Sequence, residues 1–166
     1  MMDSMIPVLA GTGSNDTAHS VMLTKRARAL GAAGVLVVAP YYNRPPQAGI
    51  EAHFRACAAA TDLPVMVYDV PTRTNRRVAT DVLLRLFTNV PNIVAFKDAT
   101  GDPPAAAALV AQAGQHFDLY SGDDPYTLPL LACGAVGEKS KVLVDALEGT
   151  SYVMLKFTGI VIDRKS

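Results

Sequence analysis

The sequence predicts an α/β protein built on a parallel β-sheet, and three observations lead to this fold class. Short apolar runs alternate along the chain with longer segments in which apolar residues recur at helical spacing. The clearest run is apolar on both faces, which is typical of parallel strands covered by helices. Polar residues follow four different strands at their carboxyl ends, where α/β proteins carry their sites. A barrel and an open doubly wound sheet both fit, and four contributing strands favour the barrel.

The first strand is predicted over residues 6–10, an apolar run that Gly-Thr-Gly at 11–13 ends. Residues 15–17 then offer side chains that cap a helix, and Leu and Ala recur at helical spacing over 23–30. The second strand, predicted over 35–39, is apolar throughout. This is the order strand, helix, strand of a parallel sheet.

The same alternation continues to residue 133. Prolines come just before two of the later strands, and Pro103 and Pro125 suit the starts of helices. The further helices are predicted over 47–61, 80–87, 103–113 and 125–133. The further strands are predicted over 65–68, 93–97 and 117–121.

Composition argues against several classes of function. The 15 Lys and Arg residues balance 15 Asp and Glu residues, so nothing global attracts the chain to nucleic acid or to an anionic membrane. Cys57 and Cys133 form no CxxC pair, and His19, His53 and His116 lack the spacing of metal ligands. We therefore expect no disulfide, no metal and no cofactor. Since the chain also lacks a signal-peptide pattern and an apolar run of roughly 20 residues, we expect a cytoplasmic protein.

Lys97 is the strongest candidate for a catalytic residue. Alternation along its strand predicts that it shares an apolar face with Ile93 and Ala95. Burial there would lower the pKa of the amine from its reference value near ~10.4 and supply the neutral nucleophile that forms an imine with a carbonyl compound. The alternative is a lysine that reaches out of the sheet or pairs with Asp69 or Asp98. The strand by itself does not separate the two.

Tyr68 and Tyr41 come at the ends of two other strands. Tyr68 shares the face of Met66, where its hydroxyl could relay the protons that imine chemistry needs. A core tyrosine bonded to the backbone is the alternative. Tyr41 opens a rigid aromatic loop that includes Arg44, a cation able to hold a carboxylate, although simple loop packing also explains these residues.

Arg73 and Gly122 complete the set of candidate substrate-binding residues. Arg73 follows the Tyr68 strand, and a guanidinium meets a carboxylate through two parallel hydrogen bonds; a solvated surface arginine is the alternative. Gly122 opens Gly-Asp-Asp at the end of the fifth strand. A nucleotide-binding module is a further hypothesis, but Gly-Thr-Gly at 11–13 lacks both the P-loop lysine and the third glycine of a dinucleotide fingerprint, so we expect a tight turn.

Five motifs carry a resemblance to a known family. They are IPVLAGTG at 6–13, PYYNRP at 40–45, VYDVPTRT at 67–74, FKDATG at 96–101 and SGDD at 121–124. In this order they resemble the dihydrodipicolinate synthase family of pyruvate-dependent class I aldolases. The resemblance implies a (β/α)8 TIM barrel, incomplete here, with about six βα units over residues 1–140 and the first two strands missing.

The resemblance also implies roles for individual residues. Lys97 would form the Schiff base with pyruvate, Tyr68 would serve the proton relay, and Tyr42 would match the tyrosine that reaches across a tight dimer interface. Arg73 would hold the carboxylate of aspartate semialdehyde, which favours the synthase over sialic-acid-cleaving relatives. The implied product is 4-hydroxy-tetrahydrodipicolinate, on the route to diaminopimelate and lysine, and the implied assembly is a homodimer or homotetramer.

The sequence departs from the family pattern at both ends. The Gly-Thr-Thr-Gly-Glu loop that supplies the relay threonine is absent, and Glu138-Lys139-Ser140 stands where an apolar strand is expected. No family motif is recognised in residues 141–166, which are predicted to form a tail packed on or beside the barrel. Residues 152–162 could be a small hairpin, or the product of a truncated or altered reading frame. The alternative functions are an inactive barrel fragment that pairs its open edges with another chain and an N-acetylneuraminate lyase-like aldolase.

Overall fold

The six parallel strands of the sheet follow one another in space in the same order as in the sequence. The structure, a computed structural model, describes residues 7–114 and 117–138 and the backbone of 154–156. The parallel strands are β1 (Val8–Gly11), β2 (Gly34–Val38), β3 (Val65–Asp69), β4 (Ile93–Asp98), β5 (Asp118–Ser121) and β6 (Gly137–Glu138). This order contains no reversal, so the sheet is not doubly wound; it curls into a partial TIM barrel, as predicted.

Helices connect the parallel strands. They are α1 (Thr17–Ala29), α2 (Gln47–Ala58), α3 (Pro71–Thr74), α4 (Thr80–Asn89), α5 (Pro103–Ala113) and α6 (Thr127–Ala132), the last preceded by a 3-10 turn at Asp124–Tyr126. Asp16 caps α1 by accepting a hydrogen bond from the His19 N–H, and Asp102 caps α5 in the same way through Ala105. The predicted helices are thus confirmed, and the short α3 lies in a segment for which no helix was predicted.

The core has two layers, one on each face of the sheet. Between the sheet and the helices lie two valines each from β2 and β3, with three larger side chains: Val35, Val37, Val65, Val67, Phe54, Leu86 and Phe96. On the inner face, Leu36 and Met66 belong to a smaller cluster against which Tyr68 packs. The alternation within each strand therefore separates a helix-covered face from the barrel interior.

A β-bulge in β4 corrects one prediction. Val65 pairs with Ile93 but its neighbour Met66 pairs with Ala95, so Val94 is an extra residue in the ladder. The insertion sends Ile93 to the helix-covered core, while Ala95 lies in the inner cluster. The prediction that Ile93 shares the face of Lys97 is wrong for this reason.

A seventh strand, β7 (Met154–Lys156), pairs antiparallel with β1. The predicted boundary between residues 140 and 141 and most of the predicted hairpin at 152–162 lie outside the described residues, so the division into barrel and tail stays a prediction. Glu138 lies half-buried in β6, the short strand for which an apolar sequence was expected. Within the described part of the chain, no helix has the length and apolar character needed to cross a membrane.

Candidate active site

The carboxyl ends of the strands surround one cavity of about 970 Å³. Five of the predicted site residues line it: Lys97, Tyr68, Arg73, Tyr41 and Gly122. They come from the ends of β2 to β5 and from α3, so the cavity collects residues that lie far apart in the sequence. This is the face on which TIM barrels carry their active sites.

Lys97 is buried beside Tyr68. The side chain of Lys97 lies on β4 in register with Tyr68 on β3, and its residue is 4% exposed. The Lys97 Nζ lies 4.4 Å from the centroid of the Tyr68 ring, within the range in which an aromatic face attracts a cation. The alternative of a lysine that extends into solvent therefore does not hold. The two aspartates that follow these residues line a separate cavity on the helix-covered face.

Gly122 makes room for the lysine. A Cβ at this position would lie 2.9 Å from the Cε of Lys97 and 3.0 Å from its Cγ, distances that side-chain carbons do not adopt. The Gly122 N–H donates a 2.7 Å hydrogen bond to the carbonyl of Asp98, which fixes the turn against β4. Because it has no Cβ, Gly122 leaves the space that the Lys97 side chain occupies.

The environment of Tyr68 keeps its hydroxyl protonated. Burial is the main cause that raises the pKa of the phenol, and the carboxylates of Asp123 and Asp69 raise it further, while the Arg73 guanidinium opposes them. At neutral pH the Tyr68 hydroxyl therefore keeps its proton. This is the protonation state that the loss of water from a carbinolamine requires.

Arg73 reaches the cavity from α3. Pro71 opens this short helix, and the left-handed conformation of Asn75, with φ of 55°, ends it. Thr74 fixes the turn by donating a 2.8 Å hydrogen bond to the carbonyl of Arg76. Arg73 is exposed at the rim of the cavity. Its guanidinium can therefore bind a carboxylate that enters from solvent.

The aromatic loop after β2 divides its residues between the cavity and the surface. Tyr41 lines the cavity, whereas Tyr42 is 84% exposed and Arg44 is also exposed, and neither of these two lines it. Both have positive φ, 63° for Tyr42 and 43° for Arg44, a conformation that non-glycine residues seldom adopt. Asn43 ties the loop to the start of α1 by donating to the carbonyl of Asn15 at 2.7 Å. The roles expected for Tyr42 and Arg44 stay predictions.

The cavity also contains residues for which the sequence analysis gave no role in the site. Ser14, His19 and Asp123 line it. The sequence indicates that His19 lies in the first turn of α1, because Asp16 caps this helix, but it does not indicate that this turn faces the cavity. In the loop that follows β1, a Cβ on Gly13 would lie 2.3 Å from the backbone nitrogen of Val38. The glycine is thus explained by close packing against β2, without a phosphate.

Comparisons with known proteins agree with this geometry. The family model described as "Dihydrodipicolinate synthetase family" matches residues 1–152. The 4-hydroxy-tetrahydrodipicolinate synthase of Bacillus subtilis (strain 168) is 47% identical over 136 residues, which are 82% of this chain and 47% of that protein. The synthase of Synechococcus sp. (strain CC9605) is 55% identical over 131 residues, 78% of this chain and 43% of that protein. The chain spans about half the length of the curated relatives that it matches.

Solved structures give the same result. The 4-hydroxy-tetrahydrodipicolinate synthase of Methylacidiphilum fumariolicum SolV superposes with a TM-score of 0.78 at 46% identity, over 80% of this chain and 44% of that one. The dihydrodipicolinate synthase of Acinetobacter baumannii, whose structure is a complex with pyruvate, superposes with a TM-score of 0.77 at 42% identity, over 86% of this chain and 47% of that one.

Proposed function

The chain belongs to the dihydrodipicolinate synthetase family, and from this membership we propose that its cavity activates pyruvate as a Schiff base on Lys97 and joins it to aspartate semialdehyde. The observation that carries the proposal is the burial of the Lys97 amine 4.4 Å from the Tyr68 ring in the cavity at the strand ends. Because the chain spans about half of its relatives, the activity is proposed for the protein to which this half-barrel contributes.

The reaction begins with the amine. Neutral Lys97 Nζ attacks the keto carbon of pyruvate, and the resulting carbinolamine loses its hydroxyl as water after Tyr68 supplies a proton. The imine withdraws electrons from the pyruvate methyl group, which loses a proton and leaves an enamine. The Tyr68 oxygen, having given up its proton, can accept this one.

Carbon–carbon bond formation follows at the enamine. The enamine carbon attacks the aldehyde carbon of the semialdehyde, whose oxygen takes up a proton and becomes the 4-hydroxyl group. The amino group of the same substrate then attacks the imine carbon and displaces Lys97, which closes the six-membered ring. Arg73 at the rim of the cavity supports the use of aspartate semialdehyde as the second substrate, since its guanidinium can hold the carboxylate of that molecule.

The same arginine favours the synthase over an N-acetylneuraminate lyase-like reaction, as the resemblance implies. Pyruvate and aspartate semialdehyde are therefore the proposed small-molecule partners. The proposed location of the reaction is the cytoplasm. The exposed Tyr42 supports a homo-oligomer in which this side chain reaches a neighbouring subunit.

Trapping with borohydride tests the proposal. Incubation of the chain with pyruvate and borohydride should reduce the imine and add a carboxyethyl group to Lys97, which peptide mass spectrometry locates. Lys97→Arg should abolish the modification, whereas Lys25→Arg, at an exposed position of α1, should leave it intact. An unmodified Lys97 at saturating pyruvate would support the alternative, a half-barrel that is inactive in isolation.

A further inference from the structure

Two carboxyl groups lie on the face of the sheet opposite Lys97 and Tyr68, the proposed catalytic residues. Asp69 follows Tyr68 and Asp98 follows Lys97, and the two aspartates pair in register on β3 and β4. Alternation turns them to the opposite face of the sheet, where Asp69 is 0% exposed and Asp98 is 2% exposed. The mechanism described above does not use them.

Asp69 has one satisfied oxygen and one that lacks a protein partner. Its Oδ2 accepts a 3.0 Å hydrogen bond from the Val78 N–H. Its Oδ1 is buried and has no hydrogen-bond partner among the described residues. The Thr100 hydroxyl oxygen is also buried; it lies near the Asp98 carboxylate but forms no hydrogen bond of good geometry among the described residues. Buried polar atoms without a protein partner are the ones that internal water satisfies.

The space beside these atoms is the size of one water molecule. A cavity of about 10 Å³ lies between the sheet and helices α4 and α5, and Asp69, Asp98 and Thr100 line it. Asp98 contributes through its Oδ1, which accepts a 2.7 Å hydrogen bond from the Thr100 N–H. The cavity is therefore polar on one side, as a water site must be.

The charges around the cavity favour a neutral carboxyl group. Burial raises the pKa of Asp69 to about 7; the Val78 N–H opposes this shift, and the neighbouring Asp98 adds to it. Among the described residues that line this cavity, the positively charged one is Arg77. Its side chain is exposed and forms a 2.7 Å ion pair with Asp102. Burial is likewise the main cause that raises the pKa of Asp98.

We propose that Asp69, Asp98 and Thr100 form a buried site that holds one water molecule and one proton and so joins the carboxyl ends of β3 and β4. The site acts as a positioning device, because any change in the spacing of the two aspartates moves the residues that precede them. Its effect on Lys97 rests on the proposed function, whereas the occupancy of the site does not.

NMR of the chain labelled with carbon-13 at its aspartate carboxyl groups tests the proton. One aspartate should titrate near pH 7 in the wild type, and this signal should be missing in Asp69→Asn. Asp81→Asn, which removes an exposed carboxylate of α4, should retain it. The proposal is overturned if every aspartate titrates below about pH 5.

A crystal structure of the chain tests the water. Electron density for one water molecule is expected between the Asp69 Oδ1 and the Thr100 hydroxyl, and Thr100→Val, which has nearly the same shape, should lose it. A direct contact between these two oxygens without water would overturn the assignment.

The pH profile of borohydride trapping tests the effect on Lys97. The wild-type trapping rate should change between pH 6 and 8 as Asp69 titrates near 7, and Asp69→Asn should lack this change. Identical profiles for the two proteins would refute the positioning role. If wild-type Lys97 is not trapped at all, the proposed function fails, while the titration and the water density still decide whether the buried site exists.

Discussion

At the scale of single residues, Lys97 on β4 and Gly122 in the turn directly after β5 lie in close contact. The lysine was predicted from its strand position and its apolar surroundings, and the structure gives it the buried place that this prediction requires. The reason for the glycine is visible only in three dimensions, because it depends on how closely the turn after β5 approaches the lysine side chain.

Gly122→Ala should therefore reduce imine formation more than stability. The new Cβ would meet the Lys97 Cε at 2.9 Å, and the lysine chain is flexible enough to move aside, which displaces the amine. Displacement of a reacting group by about 1 Å lowers rates by up to about 100-fold, so we expect a trapping rate lower by about one to two orders of magnitude.

Gly137→Ala is the matched control. At that position a Cβ would lie 3.6 Å from the Tyr120 ring, an ordinary contact, so trapping should not change. The measurement is the rate of pyruvate-dependent borohydride modification, with circular dichroism to verify the fold. An equal loss of trapping in both variants would contradict the role given to Gly122.

At the scale of elements, the start of α1 connects helix formation to the site. The Asp16 carboxylate accepts a 2.6 Å hydrogen bond from the His19 N–H, and this cap orders the turn whose His19 side chain lines the cavity. Capping residues are recognisable in sequence, so the helix start was predictable. The presence of His19 in the cavity was not, because it depends on the angle at which α1 leaves β1.

Asp16→Ala should destabilise the chain by about 1 kcal/mol, since it leaves helix N–H groups without an acceptor. Asp16→Asn should be close to the wild type, because an asparagine side chain also accepts this hydrogen bond. Urea unfolding at constant pH measures both variants. Equal losses for alanine and asparagine would show that the charge of Asp16, and not the cap, stabilises the helix.

At the scale of the whole molecule, stability depends on pH through the buried aspartates. The pKa of Asp69 is about 7 in the folded chain, against 3.8 for an unperturbed group. Between these values the folded state binds more protons than the unfolded state, so the free energy of unfolding falls as pH rises through this window. Asp98 acts in the same direction, since burial also raises its pKa.

Asp69→Asn should remove part of this pH dependence. Each proton bound only by the folded state contributes up to about 1.4 kcal/mol per pH unit, and asparagine does not titrate. Between pH 4.5 and 7, the window below the folded pKa of about 7, urea unfolding should show a shallower decline for the variant than for the wild type. Asp81→Asn is the exposed control, and a variant slope equal to that of the wild type would refute the prediction.

Sequence patterns were enough to predict the alternation of strands and helices, the parallel sheet and the placement of five residues near the strand ends: Tyr41, Tyr68, Arg73, Lys97 and Gly122. These features follow from local signals, namely apolar periodicity, capping residues and the positions of strand ends. Sequence patterns did not reveal the face of Ile93, the position of His19 in the cavity or the pairing of Asp69 with Asp98, which are visible only in the folded chain. Those depend on register and close approach between strands, where one extra residue in β4 reverses the side on which a neighbour packs.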